Sequence, residues 1–95
     1  MTEESFEWDT TKDLLNRIKH GVSFETAKRV FEDPAKLIVR DDKHDLPDEQ
    51  RFFCIGKVGG VVLTVRFTER ENRIRIFGAA EWRKGRRRYE TETEI

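Results

Sequence analysis

The chain has one cysteine, two histidines and no long apolar run, and each shortage excludes a class of protein. A single thiol, Cys54, cannot close an internal disulfide, so no covalent staple supports the core. Its neighbours, Phe52-Phe53-Cys54-Ile55, read as a buried strand. A nucleophilic role is disfavoured, because no His or Asn is placed nearby to activate the sulfur. There is no secretory leader and no apolar stretch of about 20 residues, so a cytoplasmic protein without a membrane role is expected. The two histidines and the cysteine lack zinc-ligand spacing. The Asp-rich stretch from Asp41 to Asp48 lacks the central glycine of a calcium loop. No Gly-rich phosphate cradle precedes a helix, and neither a metal nor a cofactor is expected.

What remains is a short, highly charged chain: 95 residues, 36% hydrophobic and 40% charged. That length fits one domain, residues 1–95, with 1–5 and 91–95 frayed. Seven Phe and two Trp supply much of the burial, each removing ~150–250 Å² from water. The net charge of zero conceals an asymmetry. Residues 1–50 carry 13 acidic and 8 basic side chains, whereas residues 51–95 carry 6 acidic and 11 basic. A basic half inside a neutral protein points to a polyanionic partner, the dull alternative being a solvated face laced with salt bridges.

Along the chain, Phe6–Asp9 alternates as a short strand. Thr10 and Asp13 form a possible capping box for a helix whose apolar stripe is Leu14, Leu15 and Ile18. Gly21 ends that helix, with Lys19 and His20 at its negative end. Ser23 caps a second helix with Phe24, Ala27, Val30 and Phe31 on one face, stopped at Asp33-Pro34. Strands follow at Leu37–Val39, at 51–57 and from Val61, with a hairpin at Gly59-Gly60 and a turn over Glu69–Asn72. Val61, Leu63, Val65 and Phe67 share one face, while Val62, Thr64, Arg66 and Thr68 share the other. Ile74 and Ile76 alternate with Arg73, Arg75 and Phe77. A final helix spans Arg83–Glu90, weakened by Gly85. The fold class is α+β: an antiparallel sheet of three to four strands plus a short N-terminal strand, with helices packed on one face.

Several segments together resemble one family. They are FEWD at Phe6–Asp9, KHGVSFETA at Lys19–Ala27, VFEDP at Val30–Pro34, RF at Arg51-Phe52, TERENRIRIFGA at Thr68–Ala79 and WRKGRRRYE at Trp82–Glu90. Over residues 6–90 the chain is similar to BrnT proteins, the toxins of BrnT/BrnA type II toxin–antitoxin pairs. The resemblance implies a RelE-like fold and a metal-independent endoribonuclease that inhibits translation. It also implies neutralisation by a BrnA-like antitoxin, and promoter DNA bound only through the antitoxin complex. One residue departs from the pattern: many such chains carry Arg at the end of the last strand, where this one has Ala80. Arg83 and Lys84 are the nearby substitutes.

RNA cleavage of this kind needs a base for the 2′-OH, cations for the phosphate and an acid for the leaving oxygen. Arg66 and Arg75 lie on neighbouring strands where a planar fork can grip phosphate, and Glu69 and Arg70 sit at the turn, Glu69 as a possible base. His20 is a second acid–base candidate, although a histidine before a capping glycine often only stabilises the helix end. Arg66, Glu69, Arg70, Arg75 and His20 are therefore the catalytic candidates. Lys19, Arg73, Arg83, Lys84, Arg86 and Arg87 are the candidates for binding RNA. His44 reads as a bystander and Tyr89 as a docking residue for the last helix. Two other functions use the same basic face: a nucleic-acid-binding module without catalysis, and a docking surface for an acidic protein. An aromatic stacking platform is not expected there, since Arg66 and Arg75 hold the outward positions.

Overall fold

The computed structural model describes residues 5–93; of the residues expected to fray, 1–4 and 94–95 lie outside the described ones, while Ser5 begins the first strand. The elements are β1 (Ser5–Trp8), α1 (Thr10–His20), α2 (Phe24–Lys28) continued by a 3-10 turn (Arg29–Glu32), and β2 (Leu37–Arg40). A second 3-10 turn (Asp42–His44) precedes β3 (Arg51–Val58), β4 (Val61–Arg70), β5 (Arg73–Ala80) and α3 (Arg83–Thr93). The strands form one mixed sheet in the order β1-β5-β4-β3-β2. The meander β2 to β5 is antiparallel as expected, and β1 joins it parallel to β5. Both hairpins turn through two residues with positive φ, Gly59-Gly60 and Glu71-Asn72, which matches the strand twist.

The sheet separates two apolar clusters. On one face Leu63, Val65, Phe67, Ile74 and Ile76 meet Phe24, Ala27 and Val30 from α2 and its 3-10 turn, with Cys54 buried among them. On the other, Ile55 and Val62 meet Tyr89 of α3. Helices thus pack on both faces, not on one, because Val62 and Ile55 alternate away from the first core and need their own cover. Between Phe67↔Ile76 and Arg66↔Gly78 the pairing slips by one residue, inserting Phe77. That bulge lets Ala79 rejoin the core side after Ile74 and Ile76.

Two helices depart from expectation. Asp9, not Thr10, caps α1, accepting from the N–H groups of Thr11 and Lys12 at 2.8 and 3.0 Å. Asp13 instead accepts from the N–H of Phe24 at 2.8 Å, joining α1 to α2. The stripe Leu14, Leu15 and Ile18 faces outward, 49%, 58% and 74% exposed, and Asn16 is the only buried residue of α1. The cause lies at the sheet edge. β1 pairs only with Arg73–Ile76, so the rest of β5 presents unpaired backbone to α1. Asn16 satisfies it, donating to Ala79 O at 2.8 Å and accepting from Ala79 N at 3.2 Å, while also donating to Val22 O at 2.8 Å. A hydrogen-bonding demand sets the orientation of α1, and its apolar side is left in water.

In α3, Gly85 is buried against Thr64, and a Cβ there would collide with the Thr64 hydroxyl. The glycine permits close helix–sheet contact, which outweighs its poor helix propensity. The helix continues past Glu90 to Thr93, whose hydroxyl donates to Tyr89 O at 2.7 Å, so residues 91–93 form its last turn and are not frayed. Tyr89 docks the helix as expected, donating to Asp33 at 2.6 Å.

Candidate functional site

The covering of the second face is incomplete. α3 lies over Ile55, Val62 and part of Phe53, and α1 stands at the β5 edge. Between them opens a cleft of about 710 Å³, floored by β3, β4 and β5. Arg66 projects from the floor, Lys19 and His20 come from the end of α1, and His44 comes from the 3-10 turn after β2. Glu81 and Trp82 form the rim where β5 passes into α3. Both histidines of the chain therefore line one cleft with Arg66.

His44 is oriented from behind. Its Nδ1 lies 2.8 Å from Asp41 Oδ2, and the Asp41 side chain is 6% exposed against 55% for His44. A buried carboxylate beside one ring nitrogen fixes the ring and leaves Nε2 toward solvent, a standard way to hold an acid–base imidazole. His44, read from the sequence as a bystander, is thus placed in the cleft wall. Nothing local in the Asp-rich loop signals it, since only the fold of the loop back toward β3 brings His44 to Arg66.

The cations sort into two groups by their partners. Among the described residues, Arg66 and Lys19 make no ion pair. Arg70 and Arg75 line an adjoining hollow of about 550 Å³ with Arg51, and acidic residues engage all three. Arg75 meets Glu7 at 3.1 Å, while Arg70 and Arg51 both meet Glu49, at 2.9 and 3.0 Å. Partial burial of Glu49 raises its pKa, but the hydrogen bonds from Arg70 and Arg51 prevail and hold it below the usual carboxylate range. Arg51 also lies 4.0 Å from the centre of the Phe77 ring, with Lys12 at 5.5 Å. The cation–ring contacts prop Phe77 between cleft and hollow.

Other expected site residues lie elsewhere. Glu69 alternates to the opposite face, beside Asp45, Glu49 and Phe52, away from Arg66. Arg73, Arg83, Lys84, Arg86 and Arg87 line neither the cleft nor the hollow. Arg86 and Arg88 pair with Glu90 and Glu92 one turn on, the salt-bridged surface that composition had offered as the dull alternative. Ala80 is in the cleft wall, paired in register with Thr64, so a longer side chain there would enter the cleft. The cations that share the cleft with Ala80 are Arg66, Arg51, Lys12 and Lys19, and not Arg83 or Lys84. Three aromatic rings line the same cleft: Phe53 opposite Arg66 in register, Phe77, and Trp82, whose ring lies 5.5 Å from that of Phe53.

No group of three or more His, Cys, Asp or Glu side chains among the described residues could hold a metal ion. No helix among them is long and apolar enough to cross a membrane. A family model described as "Ribonuclease toxin, BrnT, of type II toxin-antitoxin system" matches residues 8–85. No individual curated protein matches the chain.

Proposed function

The chain belongs to the BrnT family of ribonuclease toxins of type II toxin–antitoxin systems, and from that premise we propose a metal-independent endoribonuclease whose active site is the cleft between α1 and α3. The observation that carries this reading is the convergence of His20, His44 and an ion-pair-free Arg66 on that cleft. Two imidazoles across a cationic floor supply what 2′-OH attack on phosphorus requires. His44, held by Asp41, takes the 2′-OH proton. The 2′-oxygen then bonds to phosphorus, giving a 2′,3′-cyclic phosphate. The bond to the 5′-oxygen breaks, and His20 donates the proton to that leaving group. Arg66, with Lys19 beside it, holds the phosphate as negative charge gathers on its oxygens. Phe77 and Trp82 offer ring surface for a flanking base.

Arg70 and Arg75 serve in this reading as a secondary track for the RNA backbone, their charge offset by Glu49 and Glu7. Glu69 is too far round the sheet to act as base. The element order supports a RelE-like layout in one toxin domain, acting on RNA in the cytoplasm to inhibit translation. A BrnA-like antitoxin would silence it and carry the pair to promoter DNA.

The test is incubation of purified protein with structured and unstructured RNA in EDTA, followed by analysis of the new ends. The expected outcome is cleavage leaving 2′,3′-cyclic phosphate, reduced about 10²–10⁴-fold in His44→Ala and in His20→Ala. Absence of cleavage by the wild type, or cleavage that depends on added metal, would contradict the proposal. Ala80→Arg, which adds a cation to the cleft wall, is expected to raise the rate.

A further inference from the structure

The outward stripe of α1 is a feature that the ribonuclease chemistry does not use. Leu14 and Ile18 stand one turn apart with Leu15 beside them, and all three are about half exposed or more. Three neighbouring aliphatic side chains thus stay in water on a helix that Asn16 and Asp13 hydrogen-bond to the rest of the fold, and clustered apolar surface of this kind marks a place of contact. Their rim is cationic. Lys12 and Lys19 flank the stripe on the cleft side and Arg17 on the other, the last only loosely engaged by Asp13 at 3.8 Å.

From this we infer that α1 is the docking surface for an acidic, amphipathic helix of the antitoxin, resting on the family's need for such a partner and independent of the catalytic roles above. Apolar residues of that helix would cover Leu14, Leu15 and Ile18, and its Asp or Glu side chains would meet Lys12, Arg17 and Lys19. RNA fits the stripe poorly, since aliphatic side chains neither stack on bases nor hydrogen-bond to them. A second copy of this chain fits poorly as well, because a two-fold contact through α1 would set the same cations against one another. The placement also explains silencing. Leu15 belongs both to the stripe and to the cleft wall, beside Lys12 and Lys19. A helix seated on α1 overhangs the cleft entrance and takes up the cations that RNA would use.

The test uses the full-length protein and, as probe, the small protein encoded by the reading frame adjoining its gene. Binding is measured by calorimetry for wild type and for Leu14→Glu/Ile18→Glu, two exposed positions outside the cleft. Circular dichroism shows whether the variant keeps its fold. The expected result is at least a tenfold loss of affinity, about 1.4 kcal/mol, with RNA cleavage unchanged and no longer suppressed by the probe. Arg17→Glu, which keeps the apolar stripe, is expected to weaken binding less and to flatten its salt dependence. Affinity within twofold of wild type in the double variant would overturn the inference. So would light scattering that shows a wild-type dimer dissociated by the same substitutions, since self-association would then occupy the stripe. The binding readout stands whether or not the wild type cleaves RNA, so failure of one proposal is distinguishable from failure of the other.

Discussion

The two faces of the sheet come from the same alternating strands, yet one is sealed and the other is half open. On the sealed face Phe67 stacks with Phe52 and meets Phe31 edge-on, and Phe31 meets Phe6 in turn. The open face begins the same way under α3, then gives way at Arg66 to cations, two histidines and partly covered rings. The difference shows how a small domain divides its labour: one face supplies stability, which frees the other for charged groups that contribute little to it.

Substitutions on the two faces should therefore separate stability from activity. The largest loss of stability is expected for Phe67→Ala, about 3–5 kcal/mol, because the ring is 2% exposed at the centre of the sealed core. Chemical denaturation measures it. Arg66→Ala should do the reverse, leaving the denaturation midpoint nearly unchanged while RNA cleavage falls about 10²–10³-fold. Equal losses of stability and activity in both variants would erase the contrast. Gly85→Ala tests the cover of the open face. Helix propensity alone would stabilise by ~1 kcal/mol, but collision with Thr64 is expected to win, with a net loss of about 1–3 kcal/mol.

The smallest effect, about 1 kcal/mol, is expected for Tyr89→Phe, which removes one hydrogen bond between α3 and Asp33. Its pH dependence is more telling than its size. The bond to Asp33 and burial push the Tyr89 pKa up to about 12. The tyrosine's contribution is thus complete below its ordinary value of 10.0 and is lost as pH rises toward 12. Partial burial raises the Asp33 pKa, but hydrogen bonds from Tyr89 and from the Lys57 and Ala35 amides prevail and lower it. That contribution is present above the ordinary 3.8 and is lost as pH falls through the depressed value. Thermal melts should show Tyr89→Phe less sensitive than wild type at the alkaline end, and only partly so at the acidic end, where the two amides still bind Asp33.

The meander, the α2 cap at Ser23 and the glycine ending α1 were legible in the sequence because each is a local signal. Alternation from Val61 to Phe67 assigns faces without any tertiary knowledge. The orientation of α1 was not legible. Leu14, Leu15 and Ile18 carry the pattern of a buried stripe, and only the unpaired edge of β5 explains why Asn16 faces inward. The role of Gly85 was hidden in the same way, since its neighbour Thr64 is distant in sequence. Of the residues lining the cleft, Arg66, Lys19 and His20 were readable as cationic or acid–base candidates. His44, Glu81 and Phe77 were not, because loop closure and a β-bulge bring them to the cleft, and neither leaves a periodic trace.

The most direct test of the central claim is an NMR titration with an RNA carrying a 2′-deoxy group at the cleavage position, which binds but cannot react. The largest shifts are expected at Lys19, His20, His44, Arg66, Phe77 and Trp82, around the cleft between α1 and α3. Shifts centred instead on the α2 face, or on the outer side of α3 at Arg83–Arg87, would contradict it.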